Sequence, residues 1–158
     1  MTDFLNFKEQ KGGVFPKGEI SLSMIVEATQ STPTNAKIGS ILTFTGTVRE
    51  SSLSSTRQVV SIEIEVWPEK ADEILIKICN SLISDYNLID ARIWHATGIF
   101  NVGEVLVHVV IASCHRSEGL KALEESINRY KTQAPVWKKE IYADGSSEWI
   151  SEQGHSIR

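Results

Sequence analysis

This chain lacks most of the features that would direct its reading at once. It has only two cysteines, Cys79 and Cys114, in 158 residues. Two are too few for a disulfide framework, and their separation does not match a zinc-site spacing. Cys79 falls in a helical pattern and Cys114 at a strand end, so both are expected as free thiols. No apolar run approaches the roughly 20 residues that span a bilayer. The N-terminus shows no apolar core followed by a small-residue cleavage site, so no signal peptide or membrane anchor is expected and a cytoplasmic location is. Positive charge is in deficit: 16 Lys and Arg against 20 Asp and Glu leave a net charge of −4. A broad surface for nucleic acid is therefore not expected. H-E-x-x-H, Walker A, G-x-G-x-x-G and G-x-S-x-G patterns are missing, as are clustered metal ligands. Neither a metal site nor a resident cofactor is expected.

What is present is a globular composition, 41% hydrophobic and 23% charged, long enough for one domain with a sizeable core. Residues 1–18 are polar and weakly periodic, and are expected to form a partly flexible N-terminal extension. The domain proper is expected over 19–151, with 152–158 as a tail. Ile20 to Val26 reads as a first strand, and Ile38 to Val48 as another. Ser51 to Gln58 is a serine-rich loop. Val60, Ile62, Ile64 and Val66 alternate with polar residues, the period of a half-exposed strand. Pro68 then suits the first position of a helix with an inner face of Ala71, Ile74, Leu75, Ile78 and Leu82. Arg92 to Phe100 is a strand, Val102-Gly103 a turn, and Glu104 to Cys114 a strand apolar on both faces. Leu120, Leu123, Ile127 and Tyr130 mark the stripe of a second helix. Val136 to Tyr142 and Glu148 to Ile150 form a closing hairpin around Asp144-Gly145. The order predicts an α+β domain with a largely antiparallel sheet.

The chemistry concentrates between Ala112 and Glu140. His115 and Arg116 sit at the mouth of a helix, where unpaired N–H groups and the macrodipole favour an anion. The alternative is a packed histidine and a solvated arginine. Lys131 ends the same helix. There a cation is favoured by the dipole alone, whatever its function. Lys138 and Lys139 alternate on a strand, so only one of them can face a cleft. If Lys131 and Lys138 converge, repulsion favours the neutral amine, and a lysine so placed can serve as acid, base or nucleophile. Arg49 follows Phe44-Thr-Gly-Thr-Val48 and either joins that pocket or forms a strand-end salt bridge. Trp67-Pro68 reads as a packed helix start. His108 reads as a satisfied core histidine, and His95 and His155 as isolated.

Taken together, Phe44-Thr-Gly-Thr-Val-Arg49, Glu65-Val-Trp-Pro68, Gly98-Ile-Phe-Asn-Val-Gly-Glu104, Ser113-Cys-His-Arg116 and Lys131-Thr-Gln-Ala-Pro-Val-Trp-Lys-Lys-Glu140 resemble the large, catalytic subunit family of molybdopterin synthase. The match runs from about Ile20 to Ile150. The resemblance implies a single α/β hammerhead-like domain with an additional antiparallel sheet. It implies a sulfurtransferase that converts cyclic pyranopterin monophosphate into molybdopterin. The sulfurs come from the thiocarboxylated C-terminal Gly-Gly of a small ubiquitin-like subunit. It also implies a homodimer of large subunits within a heterotetramer. By the same resemblance Lys131 and Lys138 are the catalytic lysines, and Arg49, His115 and Arg116 bind the substrate phosphate. Five positions depart from the family pattern: Thr47, Trp67, the pair Gly119-Leu120, and Gln153 in place of an arginine that reaches a neighbouring subunit. The alternative reading is a non-catalytic module that binds a pterin phosphate or a ubiquitin-like tail; a third is a structural partner in a cofactor-assembly complex.

Overall fold

The long strand β4 (Asp90–Asn101) joins two halves of one sheet. Its first half pairs antiparallel with β5 (Val105–Ser113), which in turn pairs with the edge strand β2 (Ser40–Thr47). Its second half, from Gly98 on, pairs with β3 (Val59–Val66). That strand is followed across the sheet by β6 (Val136–Tyr142) and β7 (Ser147–Ile150). Gly98 has φ +121°, a conformation that favours glycine, at the point where pairing changes partner. The computed structural model describes residues 4–151. The tail expected over 152–158, with Gln153 and His155, lies outside them.

Both faces of the β4–β5 half are covered, as the uninterrupted apolar run of β5 requires. On one face Ile93, Val109 and Ile111 pack against α3 (Pro68–Tyr86) and α4 (Arg116–Gln133). On the other, Trp94 and Val110 pack with Ile25 and Ala28 of α2 (Leu22–Gln30). The antiparallel α+β reading holds, with one parallel strand added.

That added strand is β1 (Gly12–Pro16), parallel to β4, with Val14 opposite His95. It lies within the stretch read from sequence as a flexible extension. Phe7, which closes the single turn α1 (Phe4–Phe7), and Phe15 are both buried against Trp94. Burying such side chains contributes roughly 1.5–3 kcal/mol each. The carboxylate of Asp72 accepts the Val14 N–H at 2.7 Å. Burial pushes the pKa of Asp72 up, and the Val14 hydrogen bond opposes that shift.

Two other expectations are corrected. Ile20 to Val26 is not a strand: α2 begins at Leu22, because Ser21 caps it by accepting the Met24 N–H, and Ile25, Ala28 and Thr29 fall on one buried face. The stripe of α4 holds at Leu123, Ile127 and Tyr130, which pack into the core, but not at Leu120. Leu120 is 54% exposed, while Gly119, Ala122, Ser126 and Tyr130 are buried. A Cβ on Gly119 would come within 2.5 Å of Leu42 and Ser113, so the helix is held to the sheet by its smallest residues. In β3 a register shift between Val59 and Ser61 turns Val60 outward and leaves Val59, Ile62 and Ile64 inside.

Candidate active site

Between the two halves of the sheet and the C-terminal end of α4 lies a cavity of about 320 Å³, adequate for a small heterocyclic ligand. Its wall is apolar at Val59, Ile62 and Ile64 of β3 and at Leu106 and Val107 of β5. Its charged groups come from three places in the chain. Lys131 closes the last turn of α4; Lys138 and Glu140 belong to β6; Arg49 follows β2.

Each arrives there for a local reason. The alternation of β6 sends Lys138 and Glu140 to one face, opposite Ile64 and Ile62. Lys139 goes to the other face, where it donates to Glu63 at 3.1 Å and lies 5.4 Å from the Trp149 ring centroid. Lys138 is thus the lysine that faces the cleft. The register of β2 against β5 shifts between Gly46 and Thr47, and a Cβ on Gly46 would meet Val107 at 2.8 Å. Val48 is then anchored by backbone bonds to Glu104 and Gly103, and Arg49 emerges at the rim.

Among the described residues the side chains of Arg49 and Lys138 make no ion pair or hydrogen bond. Unpaired cations on a half-apolar wall are a site for an anionic ligand. Glu140 is the carboxylate in this wall and is 6% exposed. Its Oε2 accepts from the Ser52 hydroxyl at 2.6 Å and from the Tyr142 hydroxyl at 2.8 Å. Burial first, and then the bond to Glu140, push the Tyr142 pKa up, so the phenol stays a donor. Arg57 lies 4.0 Å over the Tyr142 ring and pairs with Glu148 at 2.8 Å. The serine-rich loop, whose ends pair through Ser51 and Gln58, is therefore fastened to the β6–β7 hairpin.

His115 and Arg116 do not join the cavity. They are exposed at the start of α4, His115 being 16 residues before Lys131. At 1.5 Å per residue that is about 24 Å away. One small anion cannot touch both ends of the helix within one chain. His95, read as isolated, is instead buried in the cavity wall. Its Nδ1 lies 2.9 Å from the Ala96 carbonyl, and its ring stands edge-on to Tyr130. Its position in the β4 alternation was the available signal. His108 is a core histidine bonded to Thr45 at 2.9 Å. Trp67 is 60% exposed rather than packed.

The family is decided by comparison with known proteins. A profile for the family described as MoaE protein matches residues 17–133. The chain belongs to the MoaE family. The molybdopterin synthase catalytic subunit of Bacillus subtilis is 36% identical over 115 residues, covering 73% of this chain and 71% of that protein. The bovine molybdopterin synthase catalytic subunit is 32% identical over 111 residues, covering 70% of this chain and 58% of that protein. The chain thus spans less than two thirds of the bovine relative's length. The crystal structure of molybdopterin synthase from Staphylococcus aureus superposes with a TM-score of 0.77 at 27% identity, covering 90% of this chain and 96% of that chain. MoaE membership sets the chain among molybdopterin synthase catalytic subunits, in molybdenum cofactor biosynthesis. The matched segment contains Arg49, His115, Arg116 and Lys131 and stops short of Lys138 and Glu140. No helix among the described residues is long and apolar enough to cross a membrane.

Proposed function

We propose that this MoaE-family chain is a cytoplasmic sulfurtransferase. It takes two sulfurs from the thiocarboxylated C-terminal tail of a small ubiquitin-like subunit and places them on cyclic pyranopterin monophosphate, giving molybdopterin. The observation that carries this reading is the convergence of Lys131, Lys138 and Arg49 from three separate elements on one cavity. Lys131, at the end of α4, is the proton-transfer group beside the partner's tail. Lys138 and Arg49 hold the anionic substrate and the charge that develops on it. The assembly is a homodimer of such chains with one small subunit at each end.

A phosphate-binding role for His115 and Arg116 fits this scheme only across the dimer, one protomer serving its partner's cavity. The separation of about 24 Å along α4 supports that arrangement over a local one.

Reconstituted turnover tests the function: this chain, a thiocarboxylated small subunit and cyclic pyranopterin monophosphate are mixed, and molybdopterin is quantified as its fluorescent oxidation product. Product from the native chain and its loss in Lys131→Ala are expected. Bound tail and pterin without product would establish the binding module instead. Mixing Lys131→Ala with Arg116→Ala chains tests the cross-protomer role. Partial recovery of turnover in the mixture is expected, and no recovery would remove His115 and Arg116 from the site.

A further inference from the structure

The Arg49 side chain has no partner among the described residues, so its direction is set by the backbone that carries it. That backbone is gripped on both sides. Before it, the Val48 N–H donates to the Glu104 carbonyl at 3.0 Å, and the Val48 carbonyl accepts from the Gly103 N–H at 2.7 Å. After it, the Glu50 carbonyl accepts from the Val59 N–H at 2.8 Å, and Ser51 pairs with Gln58. The first grip belongs to the sheet. The second is only as firm as the serine-rich loop, whose two ends are Ser51 and Gln58.

The loop has no apolar hold on the domain. None of residues 49–58 belongs to either core cluster, and Leu53, its large apolar residue, is 64% exposed. Its ties are polar. Ser52 reaches Glu140, and Arg57 reaches the hairpin between β6 and β7. The Arg57 Nη1 donates to the Ser146 hydroxyl at 2.9 Å, and its Nη2 to Glu148 at 2.8 Å. Its guanidinium carbon lies 4.0 Å from the Tyr142 ring centroid. Its Nε donates back to Ser55 at 3.3 Å, so loop and hairpin share one planar group. An isolated exposed ion pair does little. Here the fork and the stacked face act together, a combination open to arginine and closed to lysine. Beside it, the Ala143 N–H donates to the Gln58 carbonyl at 2.9 Å. Arg57 thus fixes the half of the loop against which the backbone after Arg49 is paired.

We propose that Arg57 is a positioning residue for Arg49. It holds the Ser51–Gln58 loop on the β6–β7 hairpin, and the loop in turn holds Arg49 at the cavity rim. The inference rests on the synthase reading, in which Arg49 meets the charge of the substrate. It adds a residue that never touches that substrate. The Arg57–Glu148 pair is 32% and 33% exposed, and the loop shares no core packing. The loop can therefore release and close again without opening either core.

The test is a double-mutant cycle on the full chain in the reconstituted assay, with KM measured separately for the pterin and for the thiocarboxylated partner. Arg57→Ala is expected to raise the pterin KM about fivefold, the weight of an ion pair plus a stacked ring, with the partner KM within about twofold. In an Arg49→Ala background the same change is expected to raise the pterin KM less than about 1.5-fold, because nothing is left to position. Arg57→Lys, which keeps the charge without the fork, is expected to recover less than about half of the loss. Subtilisin is expected to cut between Ser51 and Gln58 about tenfold faster in Arg57→Ala, with the melting temperature within about two degrees of native. Equal effects of Arg57→Ala in the two backgrounds overturn the proposal, as does an unchanged pterin KM. So does a lowered melting temperature with both KM values raised alike, the mark of a residue that merely stabilises the fold. An Arg57→Ala chain that does not fold overturns it too, since the loop would then support the core. If the native chain makes no product, the synthase reading falls, and the same cycle is run by calorimetric binding of the pterin phosphate. A loss confined to chains that have Arg49 then keeps the positioning role, and equal losses end it.

Discussion

Two arginines, Arg92 and Arg49, show how differently one side chain can be used in the same fold. Arg92 sits in β4 and is 1% exposed. Its Nε donates to Asp90 at 2.7 Å, and its terminal nitrogens donate to the carbonyls of Phe7, Gln10 and Ala28. Asp90 is shared with Lys11 at 2.5 Å. Every group in that cluster is answered from within the chain, and the cluster fastens α1, the turn before β1, and α2 to the sheet. Arg49 is exposed at the cavity rim and is answered by nothing among the described residues. A closed charge cluster is architecture. An open one is a request for a ligand.

Substitutions separate the two roles. Lys131→Ala should have the largest catalytic effect, lowering turnover at least about 100-fold, the typical weight of a positioned proton-transfer group. Its melting temperature should stay within a few degrees of native, since the residue is exposed. Arg92→Met should do the reverse. Removing one partner of a buried pair costs about 3–5 kcal/mol, read by urea unfolding, while turnover per folded molecule persists. An Arg92→Met chain of native stability would show that the cluster is not the clamp described. Arg49→Ala and Lys138→Ala should each raise the pterin KM about tenfold with little loss of stability, and added salt should shrink the difference from native.

The two cysteines extend the comparison to reactivity. Cys114 is exposed, whereas Cys79 is buried with its pKa pushed up to about 12, chiefly by burial. A thiol reagent at pH 8 should label one site in the native protein and two only in denaturant. The smallest effect concerns pH. Burial lowers the His108 pKa from its ordinary 6.5. The unfolded chain therefore binds a proton there before the folded one does. The associated stability is full above pH 6.5 and falls as pH drops toward the folded value. His108→Asn should flatten that slope in denaturation curves taken between pH 7 and pH 5.

Local pattern made much of the fold legible. The alternation around Ile62 and Ile64, Pro68 at a helix start, the two-sided apolar run of β5 and the Asp144-Gly145 hairpin all appear where the residues put them. What misled was size. The large apolar residues of α4 suggested a stripe through Leu120, but the tightest contact with the sheet is made by Gly119, Ala122 and Ser126. In α2, β-branched residues suggested a strand, and the Ser21 cap decided for a helix. In the site, the lysines were legible through their motif, but convergence depends on β3 pairing with both β4 and β6, a long-range choice that no window of sequence displays. The enclosure of Glu140 stayed invisible for that reason. In sequence it is one more charged residue on a strand; in the fold it is enclosed by Ile62, Ser52 and Tyr142. His115 and Arg116 were equally visible, and a shared helix made them look like neighbours of Lys131 when the helix is what separates them.

The parallel strand β1 has a practical side for anyone trimming this protein. The family profile's match begins at residue 17, one position after β1 ends. A fragment cut at that boundary would keep the whole profile match. It would expose one edge of β4 and the indole of Trp94, and it would release Asp72 and Arg92 from their backbone partners. Such an edge invites pairing with another chain. The shortened protein should be recovered largely as aggregate, while a fragment that keeps Phe7 and Phe15 should stay dispersed in gel filtration.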